Sequence, residues 1–420
     1  MKTARLKHLA SVVAGQAPPG HSVLPLDEAP NDLPFIQGNG EFGVEHPVPR
    51  LACAVATKVA ASGDVLVSVR APVGALNIAD AAVGIGRGVA AVKGRRNVLD
   101  QRFLWWFMHE ARDSLHAVSA GSTYRAVTGS DIGGLMVPVW KVEQQRRIAA
   151  FLDRESERIE TVQNVIERTM TAVGLAASSA FARHPIVTEA PRVRLRFALS
   201  GIEQGWSPEC EQRPADPKGW AVMKAGAVNY GVFRPEEHKA LPIDVVPRPR
   251  YELRLGDLVM SRANTRELAG SAAVVTTLGG WRLLMCDKLY RLHLDQRVAI
   301  PDFIALAINS REGRDQIEAL TSGASGSMQN ISQDIVRGLL LPRPSIAEQR
   351  MVVEDLARMS YRATRVSQCG SDLRSALLNY REALIHEAVT GKLDVSRISE
   401  SEMDERLHAA TENRLDEVVA

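Results

Sequence analysis

The chain has 420 residues, 45% hydrophobic and 24% charged, the balance of a globular protein with apolar material for more than one core. Its 51 Lys and Arg against 49 Asp and Glu exclude a strongly basic or acidic chain, so any nucleic-acid binding has to come from cations gathered on one face. Cys53, Cys210, Cys286 and Cys369 form no CxxC pair and have no His at zinc spacing, which argues against a metal site or disulfide framework. The N-terminus lacks the apolar stretch of a secretory signal and no apolar run is long enough for a bilayer, so the sequence reads as cytoplasmic.

Taken in chain order, the predicted elements come twice, with an offset near two hundred residues. Arg5-Leu6-Lys7-His8-Leu9, closed by Pro18-Pro19, is echoed by Arg194-Leu195-Arg196-Phe197, closed by Pro208. Gly38 to Val44 is echoed by Gly226 to Val232. Gly63-Asp64 followed by an apolar run reads as a turn and a strand, and returns at Gly256-Asp257; Arg70 follows the first and Arg262 the second. Apolar residues at helical spacing over Gln101 to Val118 return over Asp302 to Leu320. Gly121-Ser122-Thr123 with Asp131-Ile132 matches Gly323 to Ser327 with Asp334-Ile335, and Pro138 with Glu143-Gln144 matches Pro342 with Glu348-Gln349. Gly-Asp turns and Pro breaks are common in mixed folds, but a series kept in one order is not, so each copy is domain-sized.

Each copy ends in a long predicted helix. Ile148, Leu152, Ile159, Val162 and Ile166 fall on a heptad grid that Glu155 interrupts; Val352, Leu356, Met359, Val366, Leu373, Leu377, Tyr380 and Leu384 fall on an unbroken one. Heptads sustained this long favour pairing with another long helix over packing on the helix's own domain, and the other copy is the obvious partner, running antiparallel. The first would be about 45 Å long and the second about 60 Å. The fold class is therefore α/β (α+β): two globular domains in pseudo-repeat, separated by two long antiparallel coiled-coil helices. The expected segments are 1–140, 141–190 (first helix and linker), 191–345, 346–391 (second helix, with Gly391 as its cap) and an acidic tail over 392–420, either a short helix with Met403, Leu407 and Leu415 on one side or a frayed end.

The junction Val137-Pro138-Val139-Trp140-Lys141-Val142-Glu143-Gln144-Gln145-Arg146-Arg147, its counterpart Leu341-Pro342 to Glu348-Gln349-Arg350, and the stretch Arg381-Glu382-Ala383-Leu384-Ile385-His386-Glu387-Ala388-Val389-Thr390-Gly391-Lys392-Leu393 resemble the specificity subunit of type I restriction–modification enzymes. The resemblance covers most of residues 1–395. Many members repeat the Ala-Leu-Ile to Thr-Gly-Lys ending after the first helix; here that place holds Thr171 to Arg183 without it. The resemblance implies a non-catalytic subunit whose two target-recognition domains each read one half of a split target on double-stranded DNA. It implies helices that set the gap and dock two methyltransferase (modification) subunits, with two restriction (motor nuclease) subunits as optional partners and no membrane. S-adenosylmethionine and ATP with Mg²⁺ would belong to the partners and no cofactor to this chain. Two readers on a rigid rod can address major-groove faces about one turn, ~34 Å, apart.

The residues agree in what they lack. No Asn/Asp-Pro-Pro-Tyr/Phe motif for a flipped base and no GxxxxGK[ST] phosphate loop is present. Val83 to Gly88 (VGIGRG) lacks GxGxxG spacing and reads as a turn; Pro301-Asp302 reads as a helix start. Candidate DNA contacts are the paired loops, Ser122, Thr123, Tyr124 and Arg125 in one copy and Ser325, Ser327, Gln329 and Asn330 in the other, because these side chains can bond phosphates or base edges; Arg70 and Arg262 are weaker candidates. Two other readings compete: a coiled-coil interaction scaffold that does not bind DNA, and a methyltransferase or nuclease with degraded motifs.

Overall fold

The computed structural model describes residues 2–120, 126–321 and 329–419, without the side chains of 120, 321 and 412–419. The chain divides into two compact units, Met1–Arg168 with Gln368–Ala420, and Thr169–Ser367. The dividing points fall inside two long helices, Val142–Arg183 and Ile346–Thr390, so each unit holds a globular part and a stretch of both helices.

In the first unit a four-stranded antiparallel sheet runs in the order Ala10–Ala14, Val89–Gly94, Val65–Ser68, Leu76–Ile78. Its central strand Val65–Ser68 is buried on both faces, which is why Val65–Val67 reads as an unbroken apolar run. Val65, Val67, Ala90 and Val92 face the helices Gln101–Glu110 and Arg112–Ala120; Leu66, Val89 and Ala91 face a second, five-stranded sheet that carries Ile36 and Ile85. The predicted helix over 101–118 is broken at Ala111. Asp100 caps the first piece by accepting from the backbone N–H groups of Arg102 and Phe103. His109 lies between Trp105 and Trp106; burial, then Arg381, Arg112 and Arg102, pushes its pKa down to about 3, so the ring is neutral.

The second unit repeats this plan. Leu199–Gln204, Leu289–Leu294, Leu258–Ser261 and Ala272–Val274 form a sheet in the same order, packed on the helices Pro301–Asn309 and Arg311–Thr321. The backbone hydrogen bonds give the correspondence residue by residue. Leu6 N–H donates to Leu135 as Leu195 does to Leu339, and Ser68 donates to Ala75 as Ser261 does to Ser271. The sequence register slips by one residue in three places. Val69, not Arg70, occupies the place of Arg262. Thr128, which caps its helix with Asp131, corresponds to the cap Ser332, so Asp131 and Asp334 are not equivalent. Gln145, not Gln144, is the counterpart of Gln349.

That last pair explains the junction motif. Gln145 is 2% exposed; its Oε1 accepts from Asp100 N–H at 2.7 Å, and its Nε2 donates to the carbonyls of Val98 at 3.0 Å and Trp140 at 2.9 Å. Gln349, 1% exposed, does the same with Ile300 N–H at 3.0 Å, Val298 at 2.9 Å and Pro344 at 3.0 Å. In each unit one amide therefore ties the first turn of a long helix to the start of the globular domain's own helix. Ser345 and Glu348 complete a capping box at the second junction.

The long helices differ from the expected ones. The first continues through Gly174 to Arg183, 42 residues and about 63 Å; the second has 45 residues and about 68 Å. Gly391 ends the second at φ +74°, the left-handed conformation of a helix C-terminus. The pairing residues divide into three groups. Ile148, Leu152 and Leu384 join the core of the first globular part; Ile159, Val162 and Ile166 meet Leu373, Leu377 and Tyr380 in a separate cluster; Val352 and Leu356 join the second core with Ala180 and Phe181. Within the first unit the stretches run antiparallel, since Trp140 Nε1 bonds the Val389 carbonyl while Arg381 Nε bonds Ser156 Oγ. Met359, expected on the seam, is 41% exposed, and Val366 is half-buried. Glu155, read as an interruption, is buried and paired with Arg154 and Arg158.

The tail is neither short nor frayed over its described part. Glu400–Val419 is helical, with Met403 in the first core, Leu407 against the Ile159–Leu377 cluster, and Asp404 paired with Arg158. Leu415 lies outside the described side chains. No helix among the described residues is long and apolar enough to cross a membrane.

Candidate nucleic-acid interface

At one edge of each unit three backbone segments are hydrogen-bonded to one another. In the first, Val69 N–H donates to the Gly88 carbonyl at 2.9 Å and Val127 N–H to the Val69 carbonyl at 2.9 Å. In the second, Arg262 N–H donates to Lys288 at 2.8 Å and Ile331 N–H to Arg262 at 2.9 Å. The exit of a core strand, a tight turn (residues 86–88 or 286–288) and the end of the Gly/Ser-rich loop are thus held side by side by main-chain bonds, whatever side chains they carry. Such a scaffold leaves its tips free to vary.

A crossing strand fixes each turn from below. Gly15 N–H donates to Val89 and Gln16 N–H to Ile85; Gly205 and Trp206 make the same bonds to Leu289 and Met285. The two glycines are required by space: a Cβ on Gly15 would lie 2.1 Å from the Gly86 carbonyl oxygen, and one on Gly205 would lie 2.2 Å from the carbonyl oxygens of Cys286 and Met285.

The two edges differ chemically. In the first unit a cavity of about 400 Å³ opens beside the turn, lined by Pro18, Phe35, Gln37, Arg70 and Arg87 among others, with no carboxylate in its lining. Arg70, Arg87 and Gln37 are exposed, as are Gln16, Thr57 and Lys58 from the adjoining segments. In the second unit the turn carries Asp287, whose carboxylate accepts a short bond from Ser207, while Arg262 Nη1 donates to the Asp287 carbonyl at 3.3 Å. Trp206 stacks toward Tyr251 and holds Arg248 4.3 Å over its ring. Burial pushes the Cys286 thiol up to about 11, so this cysteine is a neutral packing group.

Of the candidate contacts, Ser122, Thr123, Tyr124, Arg125, Ser325 and Ser327 lie outside the described residues. Gln329 and Asn330 form a short strand against Ala263 and Asn264; Gln329 is buried and Asn330 exposed, so Asn330 is the one presented. Arg70 and Arg262 both belong to the edge, at non-equivalent positions. Sequence reading passed over Arg87 and Gln37. The VGIGRG segment is indeed a strand and a turn, Val83–Ile85 followed by residues 86–88, but that turn puts an arginine at its tip. Among the described residues no three His, Cys, Asp or Glu side chains gather as metal ligands would.

Residues 51–168 match the family model for the type I restriction modification DNA specificity domain. The type I restriction enzyme EcoEI specificity subunit of Escherichia coli is 32% identical over 164 residues, which is 39% of this chain and 27% of that protein. The chain thus spans about a quarter of the length of this curated relative in the matched segment. Among solved structures, a chain from a type I R-M system described for its complex assembly and conformational transition superposes with a TM-score of 0.66 at 18% identity, covering 93% of this chain and 98% of that one. The HsdS subunit from Thermoanaerobacter tengcongensis superposes with a TM-score of 0.56 at 19% identity, covering 93% and 97%. By sequence, residues 51–168 are similar to the type I restriction modification DNA specificity domain, and over nearly its whole length the chain shares the fold of these solved chains.

Proposed function

We propose that the chain is a sequence-specific, non-catalytic DNA-binding subunit in which each unit reads one half of a split target, while the long helices set the gap and dock methyltransferase subunits. The observation that carries this reading is the repeated edge: one main-chain scaffold occurs twice, with different side chains on it, as two readers of unlike half-sites require. The cationic, carboxylate-free cavity at Arg70 and Arg87 suits the face of a polyanion. Transfer of methyl groups and any cleavage would fall to partner subunits, which would carry S-adenosylmethionine and ATP.

The scaffold reading and this one part on salt. Phosphate contacts release counterions, so duplex affinity should fall roughly a thousandfold or more between 50 and 200 mM salt if about six or more phosphates are neutralised. Fluorescence anisotropy with a labelled duplex measures this; absence of any salt-dependent duplex binding, with or without modification subunits, favours the scaffold.

A further inference from the structure

We propose that Arg87, with Arg70 beside it, reads a guanine in the half of the target assigned to the first unit, an inference that rests on the DNA-reading function proposed above. Arg87 is held at the tip of a clamped turn. Gly86 N–H donates to the Ile36 carbonyl at 2.8 Å and Gly88 N–H to the Gln37 carbonyl at 3.0 Å, and a Cβ on Gly88 would lie 2.3 Å from that Gln37 oxygen. The glycines on either side of Arg87 are buried while Arg87 is exposed, so the backbone is fixed and the side chain projects. Arg70 lines the same cavity, and neither guanidinium has a carboxylate partner among the described residues. Elsewhere in the chain arginines at structural positions are tied down, as Arg291 is to Asp257 and Glu203 and Arg282 is to Glu252. The unpaired Arg87 guanidinium on its preorganised turn matches the adjacent O6 and N7 acceptors of guanine, which one arginine takes in a bidentate bond, and the unpaired Arg70 lining the same cavity adds positive charge beside it.

The second unit supports the assignment by contrast. Its equivalent turn places Asp287 where Arg87 stands, already bonded to Ser207. The same scaffold thus offers a donor fork in one unit and an acceptor in the other, so the guanine preference belongs to one half-site only.

The test uses the full-length chain assembled with its modification subunits, and a duplex library randomised over both half-sites. Arg87→Lys keeps the charge and loses the planar fork. The expected result is that Arg87→Lys binds at near wild-type overall affinity but loses roughly tenfold or more of its preference for guanine at one position of one half-site, with the other half-site and the gap unchanged. Arg87→Ala should show the same loss at the same position. An unchanged guanine preference in Arg87→Lys overturns the proposal. So does a uniform loss of affinity in Arg87→Ala with the salt slope reduced by about 0.9, which marks a phosphate contact. If the wild-type assembly selects no split sequence, the function itself fails and Arg87 falls with it; a split sequence without guanine in either half overturns the Arg87 assignment alone.

Discussion

Gln349→Ala is expected to destabilise the second unit by about 3 kcal/mol, and Gln145→Ala the first by a similar amount. Each amide makes one bond as acceptor and two as donor while almost fully buried. Truncation strands one N–H and two carbonyls, at about 1 kcal/mol each, and removes buried side-chain volume. For a unit of about 200 residues this corresponds to roughly 6–12 °C in its melting temperature by differential scanning calorimetry. Two further variants separate bonding from packing. Gln349→Met keeps the volume and should recover only the packing part; Gln349→Glu can accept from Ile300 but cannot donate to the two carbonyls, and should be at least as damaging as alanine. A methionine variant as stable as the wild type would show that the bonds contribute nothing.

The second large effect lies beneath the proposed recognition edge. Gly15→Ala and Gly205→Ala each drive a methyl group into backbone carbonyl oxygens, atoms that cannot turn aside as a side chain would. Each should cost about 3 kcal/mol or more, with the damage centred on the turn above: residues 86–88 for Gly15 and 286–288 for Gly205. Hydrogen–deuterium exchange should show lost protection at Val69 in the first variant and at Arg262 in the second, because their N–H groups donate to those turns. Gly174→Ala is the control. A Cβ there meets nothing, within a continuous helix, so this change should stabilise by about 0.5–1 kcal/mol. Equal tolerance at all three positions would contradict the role given to the crossing strands.

Much of this was legible in the sequence, for identifiable reasons. The order of elements survives because each motif is a backbone device, such as a turn, a cap or a proline-ended strand, and these need the same residue types in both copies. At the short helix before each junction the register slipped by one because the two copies cap it differently: Thr128 shares its cap with Asp131, whereas Ser332 caps alone. The first helix was read as too short because its last turns, rich in Ala and Ser, have no heptad; Ala180 and Phe181 pack into a globular core rather than a helical seam. Met359 satisfies the heptad on paper and is exposed because the seam is not continuous. Arg87 was invisible as a site because glycines on both sides of it describe a turn, and only the fold shows that the turn is clamped and that Arg70 shares its cavity. Of the candidate loops at 121–125 and 325–330, only Gln329 and Asn330 lie among the described residues.

In the proposed function, two repeated readers on one chain define a split DNA target. Methylome sequencing tests it most directly: a host expressing this chain with a cognate modification subunit, compared with the same host lacking only this chain. The expected result is a bipartite methylated motif, two short sequences with an unspecified gap, that is present with the chain and absent without it. A methylome that does not change when the chain is removed, despite an active modification subunit, would contradict it.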